Sequence, residues 1–217
     1  MNIIGVTVSV NYSELLAKSI DRWKAGCTSL IVVTSPDDVE TGNLCRAHDV
    51  VCFPTDAFTR NGEYFNKGAA IAEAYEKLGL ASCDAWILFF DADVCPPHDW
   101  KASLLSALPG FIYGATRIRD EGSEIVDRDI SGYFMLFHAS DHNAQRVPIV
   151  ETHWTHAGNY DTEFQARWDR NHRVRLPLML THFGEPSQNW FGRGREDLMA
   201  RMLADRRRRG LAGERIG

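Results

Sequence analysis

Apolar residues along the first half of this chain fall into two patterns that take turns. The β-branched runs "IIGVTVSV" from Ile3 and "SLIVVTS" from Ser29 predict strands, while "SELLAKSIDRWKAG" from Ser13 has helical spacing, stops at Gly26 and predicts one helix. The rhythm continues with a short helix at "VETGNLCRAH", a strand at "VVCFPT", a helix at "NKGAAIAEAYEKLG" and the strand "AWILFF" that ends at Phe90. Strands that alternate with helices predict a mainly parallel sheet flanked by helices, in which ligands sit outside the carboxyl ends of the strands. After Pro96 and Pro97 the rhythm stops. A helix is predicted at "HDWKASLLSAL", then apolar runs at "GFIYGATRI" and "ISGYFMLFHA", a helix near "YDTEFQARWDRN", and a last strand "VRLPLML" that leads into "THFGEP". The fold class expected is α/β, a mixed, mainly parallel sheet flanked by helices in a single domain.

Composition sets the bounds. A chain of 217 residues, 44% of them hydrophobic, has enough apolar material for one good core. The formal net charge of -5 argues against a protein whose main business is to coat nucleic acid. The five cysteines (Cys27, Cys45, Cys52, Cys83 and Cys95) form no Cys-x-x-Cys pair and fit reduced thiols in a cytosolic protein. The opening "MNIIGVTVSV" has no basic segment and no long apolar run follows, so the expectation is a cytoplasmic protein, neither secreted nor membrane-spanning. The tail from Arg201 contains "DRRRRG", polar and basic, a candidate contact for a polyanion.

The chemistry centres on "FFDAD". An apolar strand cannot take two ionised aspartates into its core unpaired, so Asp91 and Asp93 must face water or a cation. Mg²⁺ and Mn²⁺ take oxygen ligands and often use one or two protein carboxylates, with diphosphate and water in the other positions. The spacing i, i+2 puts both side chains on one side of an extended segment. Taken alone, the tripeptide equally fits a strand end and the start of a turn.

A parallel α/β half, an Asp-x-Asp at the end of the fourth strand and a less regular second half together resemble the GT-A nucleotide-sugar-dependent glycosyltransferases, in the style of family-2-like and galactosyltransferase-like members, from Ile3 to Trp190. The resemblance implies a nucleotide-binding half over 1–95, an acceptor and catalytic half over 96–200, and a basic tail over 201–217. It implies a UDP-sugar donor, a Mn²⁺ or Mg²⁺ ion, and transfer of a sugar, of the hexosyl class, to an acceptor hydroxyl. Asp93 then corresponds to the direct metal ligand and Asp91 to the ribose or water-bridged contact. His182 in "THFGEPSQNW" is similar to the family's C-terminal histidine that completes the metal shell.

"NYDTEFQARW" resembles the region whose acid serves inverting members as general base, with Asp161 as base and Glu163 as fallback, although Tyr160 stands where the family has glutamate. A helix-capping role suits Asn159 and Asp161 as well. "QARW" is one residue short of the QxxRW motif of processive synthases. Arg60, Asn66 and Lys67 lie on "TRNGEYFNKGAAIAEAYE", which resembles the family's helix whose N-terminal end faces the donor, and Thr7, Ser9, Asn11, Asp37 and Asp38 are candidates for uracil and ribose contacts. Tyr133, Trp154, Tyr160, Trp168 and Trp190 suit sugar stacking or core packing. The acceptor stays open among a glycan, a lipid-linked sugar, a protein and a modified nucleobase.

Three other readings remain. A nucleotidyltransferase shares the metal and the nucleotide, yet "VTVSVNYSELLAKS" lacks the glycine-rich basic segment expected after its first strand. A metal hydrolase is suggested by His153 and His156 in "HWTH", a spacing that could ligate zinc on a helix, and by "HASDH". A non-catalytic nucleotide-sugar or glycan binder is the third.

Overall fold

A computed structural model describes residues 1–125 and 129–184. Trp190 and the Arg-rich tail lie outside the described residues. Nine strands among them form one sheet: β1 (Ile3–Val8), β2 (Ser29–Thr34), β3 (Val51–Pro54), β4 (Trp86–Asp91), β5 (Val94–Cys95), β6 (Ile112–Arg119), β7 (Glu124–Ile125), β8 (Phe134–His138) and β9 (Arg173–His182). The order is β3-β2-β1-β4-β8-β6-β9-β5, with β7 on β6. β1 to β4 are parallel, as the alternating first half predicts. β8 enters antiparallel between β4 and β6, and β9 runs parallel to β6, so the second half is mixed.

Strand residues alternate between two cores because side chains along a strand point to opposite faces. Ile87 and Phe89 of β4 join Val6, Val33, Met135 and Phe137 beneath α4 (Lys67–Lys77) and α5 (Tyr160–Gln165). Trp86, Leu88 and Phe90 join Val32, Phe134 and Leu136 on the other face, under α1 (Ser13–Leu16), α2 (Ile20–Gly26) and α3 (Val39–Ala47). Each such fully buried side chain contributes about 1.5–3 kcal/mol. Trp23 anchors the second face: it stacks on Phe90 at 4.2 Å, meets Trp100 edge-on at 5.1 Å, and its indole donates to the Val94 carbonyl at 3.0 Å.

Three details differ from the sequence reading. The single helix expected over "SELLAKSIDRWKAG" is two, α1 and α2: between them the Lys18 and Ser19 amides bond back three residues, to the Leu15 carbonyl at 3.1 Å and the Leu16 carbonyl at 3.0 Å, instead of four. The helix expected at "HDWKASLLSAL" is a 3₁₀ turn over Trp100–Leu104, since Trp100 and Leu104 reach the core while Leu105 and Leu108 stay exposed. His182 is the last residue of β9 rather than a residue beyond the strand. β9 tolerates Pro177 because the β6–β9 register slips there: Gly114 pairs with Arg175 but Thr116 with Met179. Among the described residues no helix is long and apolar enough to cross a membrane.

Candidate active site

Asp91 ends β4 level with Val8 at the end of β1, so it stands at the carboxyl edge of the parallel strands. By parity it points to the same side as Ile87 and Phe89, the side covered by α4 and α5. The chain then passes through buried Ala92 and Asp93 into β5. β5 leaves its neighbour and pairs with the far end of β9, with Val94 opposite His182 and Cys95 opposite Thr181. The Phe183 amide donates to the Asp93 carbonyl at 2.8 Å, and His182 Nε2 lies 3.7 Å from Asp93 Oδ2. Gly184 closes over this pair: a Cβ there would come within 2.6 Å of Asp93 Oδ2, so the backbone approach depends on glycine.

Lys67 reaches the site from the first turn of α4. Asn66 caps that helix by accepting from the Ala69 amide at 2.9 Å, and its Nδ2 donates to the Thr152 carbonyl at 2.8 Å, so its side chain is committed to structure. The Lys67 ammonium forms an ion pair with Asp91 Oδ1 and lies over the Tyr160 ring at 5.5 Å. Burial disfavours charge on both partners, but their mutual attraction wins: Asp91 is held below the usual carboxylate range and Lys67 above its usual value. Arg117 of β6, packed over the Tyr133 ring at 4.3 Å, adds positive field at Asp91.

Among the described residues Asp93 pairs with no Lys or Arg and has only His182 beside it. Its Oδ1 is buried without a hydrogen bond among the described residues, as is Nδ1 of His182. Burial, and then the neighbouring Asp91 charge, push the Asp93 carboxyl up, against the pull of His182 and Lys67. Among the described residues no three His, Cys, Asp or Glu side chains stand close enough to hold a metal ion by themselves. The pair nevertheless fits a divalent ion. A carboxylate oxygen short of a cation beside an imidazole is a donor set for Mn²⁺, and such ions usually complete their shell with diphosphate and water.

Asp161 is the second residue of α5 and does not cap that helix. Asn159 stands at the cap with φ 69° and makes no side-chain cap bond, while Asp161 Oδ2 accepts from the Gly132 amide at 2.7 Å and ties α5 to the loop before β8. Burial raises its carboxyl above the usual range, the Gly132 amide and Lys67 pull it down, and Asp91 pushes it up. Tyr160 is 2% exposed, and burial raises its phenol. Glu163 faces outward, 3.5 Å from His153 Nε2, and stands apart from the Lys67–Asp91 pair.

The remaining sequence candidates are placed as follows. Thr7 is buried with Oγ1 unpartnered among the described residues, and Ser9 Oγ lies 3.4 Å from Thr41 Oγ1. Asn11, at φ 58°, donates its amide to Asp38 Oδ2 at 2.7 Å. Asp38 also takes the Thr34 hydroxyl at 3.2 Å and caps α3 through the Thr41 amide at 3.0 Å, while Asp37 is exposed beside it. Arg60 is engaged on the surface by Asp56 and by Glu73, the latter at 2.7 Å. The Trp154 ring lies tilted against those of His153 at 4.9 Å and His156 at 5.7 Å, and His156 Nδ1 accepts from the Gly158 amide at 3.0 Å. The structure thus gathers Lys67, Asp91, Asp93, His182 and Asp161, and gives Asn66, Asp38, Arg60 and Glu163 other partners. Sequence reasoning missed Arg117, Gly132 and Gly184. Only Arg117 left a signal there, as one of two arginines at i, i+2 in "TRIR".

No family model and no curated protein matches this sequence. Solved structures do match in fold. Glucosyl-3-phosphoglycerate synthase from Mycobacterium tuberculosis, in complex with phosphoglyceric acid, superposes with a TM-score of 0.60 at 16% identity, over 85% of this chain and 73% of that one. The same enzyme with Mn²⁺, UDP-glucose and phosphoglyceric acid gives 0.59 at 16% identity, over 85% and 72%. Mannosyl-3-phosphoglycerate synthase from Rubrobacter xylanophilus gives 0.54 at 14% identity, over 97% and 75%. A 4-diphosphocytidyl-2C-methyl-D-erythritol synthase gives 0.52 at 16% identity, over 94% and 99%. The fold is GT-A-like, a mixed α/β sheet of the kind found in nucleotide-sugar glycosyltransferases.

Proposed function

We propose that this chain is a divalent-metal-dependent glycosyltransferase, with residues 1–95 for the nucleotide and 96–200 for the acceptor and chemistry. The observation that supports it most is Asp93, a carboxylate with a buried unmatched oxygen, set against His182 beside the Lys67–Asp91 pair. The neighbour that holds Mn²⁺ and UDP-glucose supports a UDP-sugar as donor class and a hexosyl group as cargo.

Asp93 and His182 would hold the metal, and Asp91 would meet the ribose or reach the ion through a water. When bound, the metal would supply Lewis acidity toward the negative charge that builds on the departing diphosphate. Lys67 donates to the same phosphates. Asp161, whose raised pKa suits proton uptake, accepts the proton of the acceptor hydroxyl as that oxygen attacks the anomeric carbon, with inversion. Thr7, Ser9 and Asp37 line the nucleoside side. The acceptor is a hydroxyl compound. The phosphoglyceric acid in the neighbouring enzyme makes a small phosphorylated acid the first to try, before a glycan, a lipid-linked sugar, a protein or a modified nucleobase.

The 4-diphosphocytidyl-2C-methyl-D-erythritol synthase keeps a nucleotidyltransferase as second reading. One assay separates them. Nucleoside diphosphate sugars with Mn²⁺ should release nucleoside diphosphate in a slow hydrolysis that needs no acceptor. Nucleoside triphosphates with sugar phosphates should release no pyrophosphate. The reverse pattern sinks the glycosyltransferase reading.

A further inference from the structure

We propose that Arg117 and Arg119 form the binding site for an anionic group on the acceptor, so that the acceptor is a hydroxyl compound that also carries a phosphate or a carboxylate. The inference rests on the glycosyltransferase reading above and narrows its acceptor.

Three observations carry it. Both arginines stand on one face of β6, in the row of Tyr113 and Ala115, with Arg117 opposite Leu180 and Arg119 opposite His182. Two residues apart on a strand, their Cα atoms are about 7 Å from each other, and an anion gripped between the two guanidinium groups offsets the repulsion of like charges.

Arg117 leads to the catalytic end. Its guanidinium lies 4.3 Å over the Tyr133 ring, which is itself held by a hydroxyl that donates to the Ala115 carbonyl at 2.6 Å. Tyr133 directly follows Gly132, whose amide holds Asp161. An anion seated at Arg117 therefore anchors the acceptor on the side of the base.

Arg119 is fixed in its backbone and exchangeable in its side chain. It ends β6 at the hairpin to β7, where its amide donates to the Ser123 carbonyl and its carbonyl accepts from the Gly122 amide, both at 2.8 Å. Its side chain is 34% exposed and meets Glu121 at 3.8 Å, a carboxylate that is 65% exposed. Such a surface pair is worth little, so a phosphate or carboxylate that takes the planar guanidinium fork in two parallel hydrogen bonds displaces it. A neutral glycan hydroxyl uses neither charge.

The test is calorimetric titration of the chain loaded with Mn²⁺ and UDP, using phosphoglyceric acid, glycerol phosphate and glycerol as probes, on the wild type, Arg119→Gln and Arg119→Lys. In the wild type at least one of the two anions should bind about tenfold or more tighter than glycerol. In Arg119→Gln that affinity should fall by about 10–100-fold, as expected for a lost hydrogen-bonded charge, while UDP affinity with Mn²⁺ stays within about threefold. Arg119→Lys keeps the charge without the fork and should fall between the two. Anions that bind the wild type no better than glycerol overturn the inference without any variant. Anion affinity that Arg119→Gln leaves unchanged overturns it too, and a loss of UDP affinity in its place would assign the arginine to the donor diphosphate. No Mn²⁺-dependent UDP binding by the wild type overturns the glycosyltransferase reading and this inference with it.

Discussion

Asp93 Oδ2 and His182 Nε2 lie 3.7 Å apart because β5 pairs with the end of β9 and not with a neighbour close in sequence. The register that sets Val94 opposite His182 brings the end of the Asp-x-Asp segment against the last residue of the last strand. Gly184, two residues further on, leaves room only for the carboxylate.

Asp93→Ala should abolish Mn²⁺-dependent UDP binding without loss of fold. The folded-state pKa of Asp93 is raised, so its ionisation costs stability as the pH rises from the unfolded-chain value through the folded one. At pH 7, above the unfolded-chain value, the variant should melt at the parent temperature or higher. Calorimetry and a thermal melt check both halves. Unchanged UDP affinity with Mn²⁺ present removes Asp93 from the metal site.

Asp161→Asn keeps an oxygen for the Gly132 amide and loses the base. Transfer should fall about 10²–10⁴-fold with donor affinity unchanged. The raised Asp161 carboxyl also predicts a pH profile: the base works only when ionised, so kcat/KM should climb through a pKa above the ordinary aspartate value, and this limb should vanish in the variant. The same sign applies to stability. Ionised Asp161 is a cost above its unfolded-state pKa, so the amide should melt no lower than the parent at pH 7. Transfer within a few-fold of the parent rules Asp161 out as base.

Asp38→Ala should be a stability variant. It removes the cap of α3, worth about 0.5–2 kcal/mol, and strips the Asn11 amide and the Thr34 hydroxyl of their acceptor, each a further penalty of about 1–3 kcal/mol if left unsatisfied. Urea unfolding should shift to a clearly lower midpoint. A midpoint at the parent value would mean that Asp38 serves the donor and not the fold.

Much of the architecture was legible in the order of residues. Parallel strands covered on both faces must be apolar along their length, and the helices between them must show one apolar stripe, so β1 to β4 and α3 and α4 announced themselves in the right order. Asp91 and Asp93 stood out for a related reason: charge at the end of such a strand has no structural use inside the core. The split between α1 and α2 was not visible, because the apolar spacing runs on through the turn at Lys18 and Ser19, where the backbone bonds tighten from four residues to three.

What the chain order determined by itself was therefore the parallel half, the carboxyl edge at which it ends, and the residues that carry unusual charge there. Only the tertiary structure decided their partners. Lys67 meets Asp91, His182 meets Asp93 and Gly132 meets Asp161 because strand parity and the β4–β8, β6–β9 and β5–β9 registers bring distant segments to one edge. Hydrophobic periodicity records which face a residue takes. It does not record which strand lies alongside, since many pairings bury the same apolar area and the choice among them is made by packing across the whole sheet.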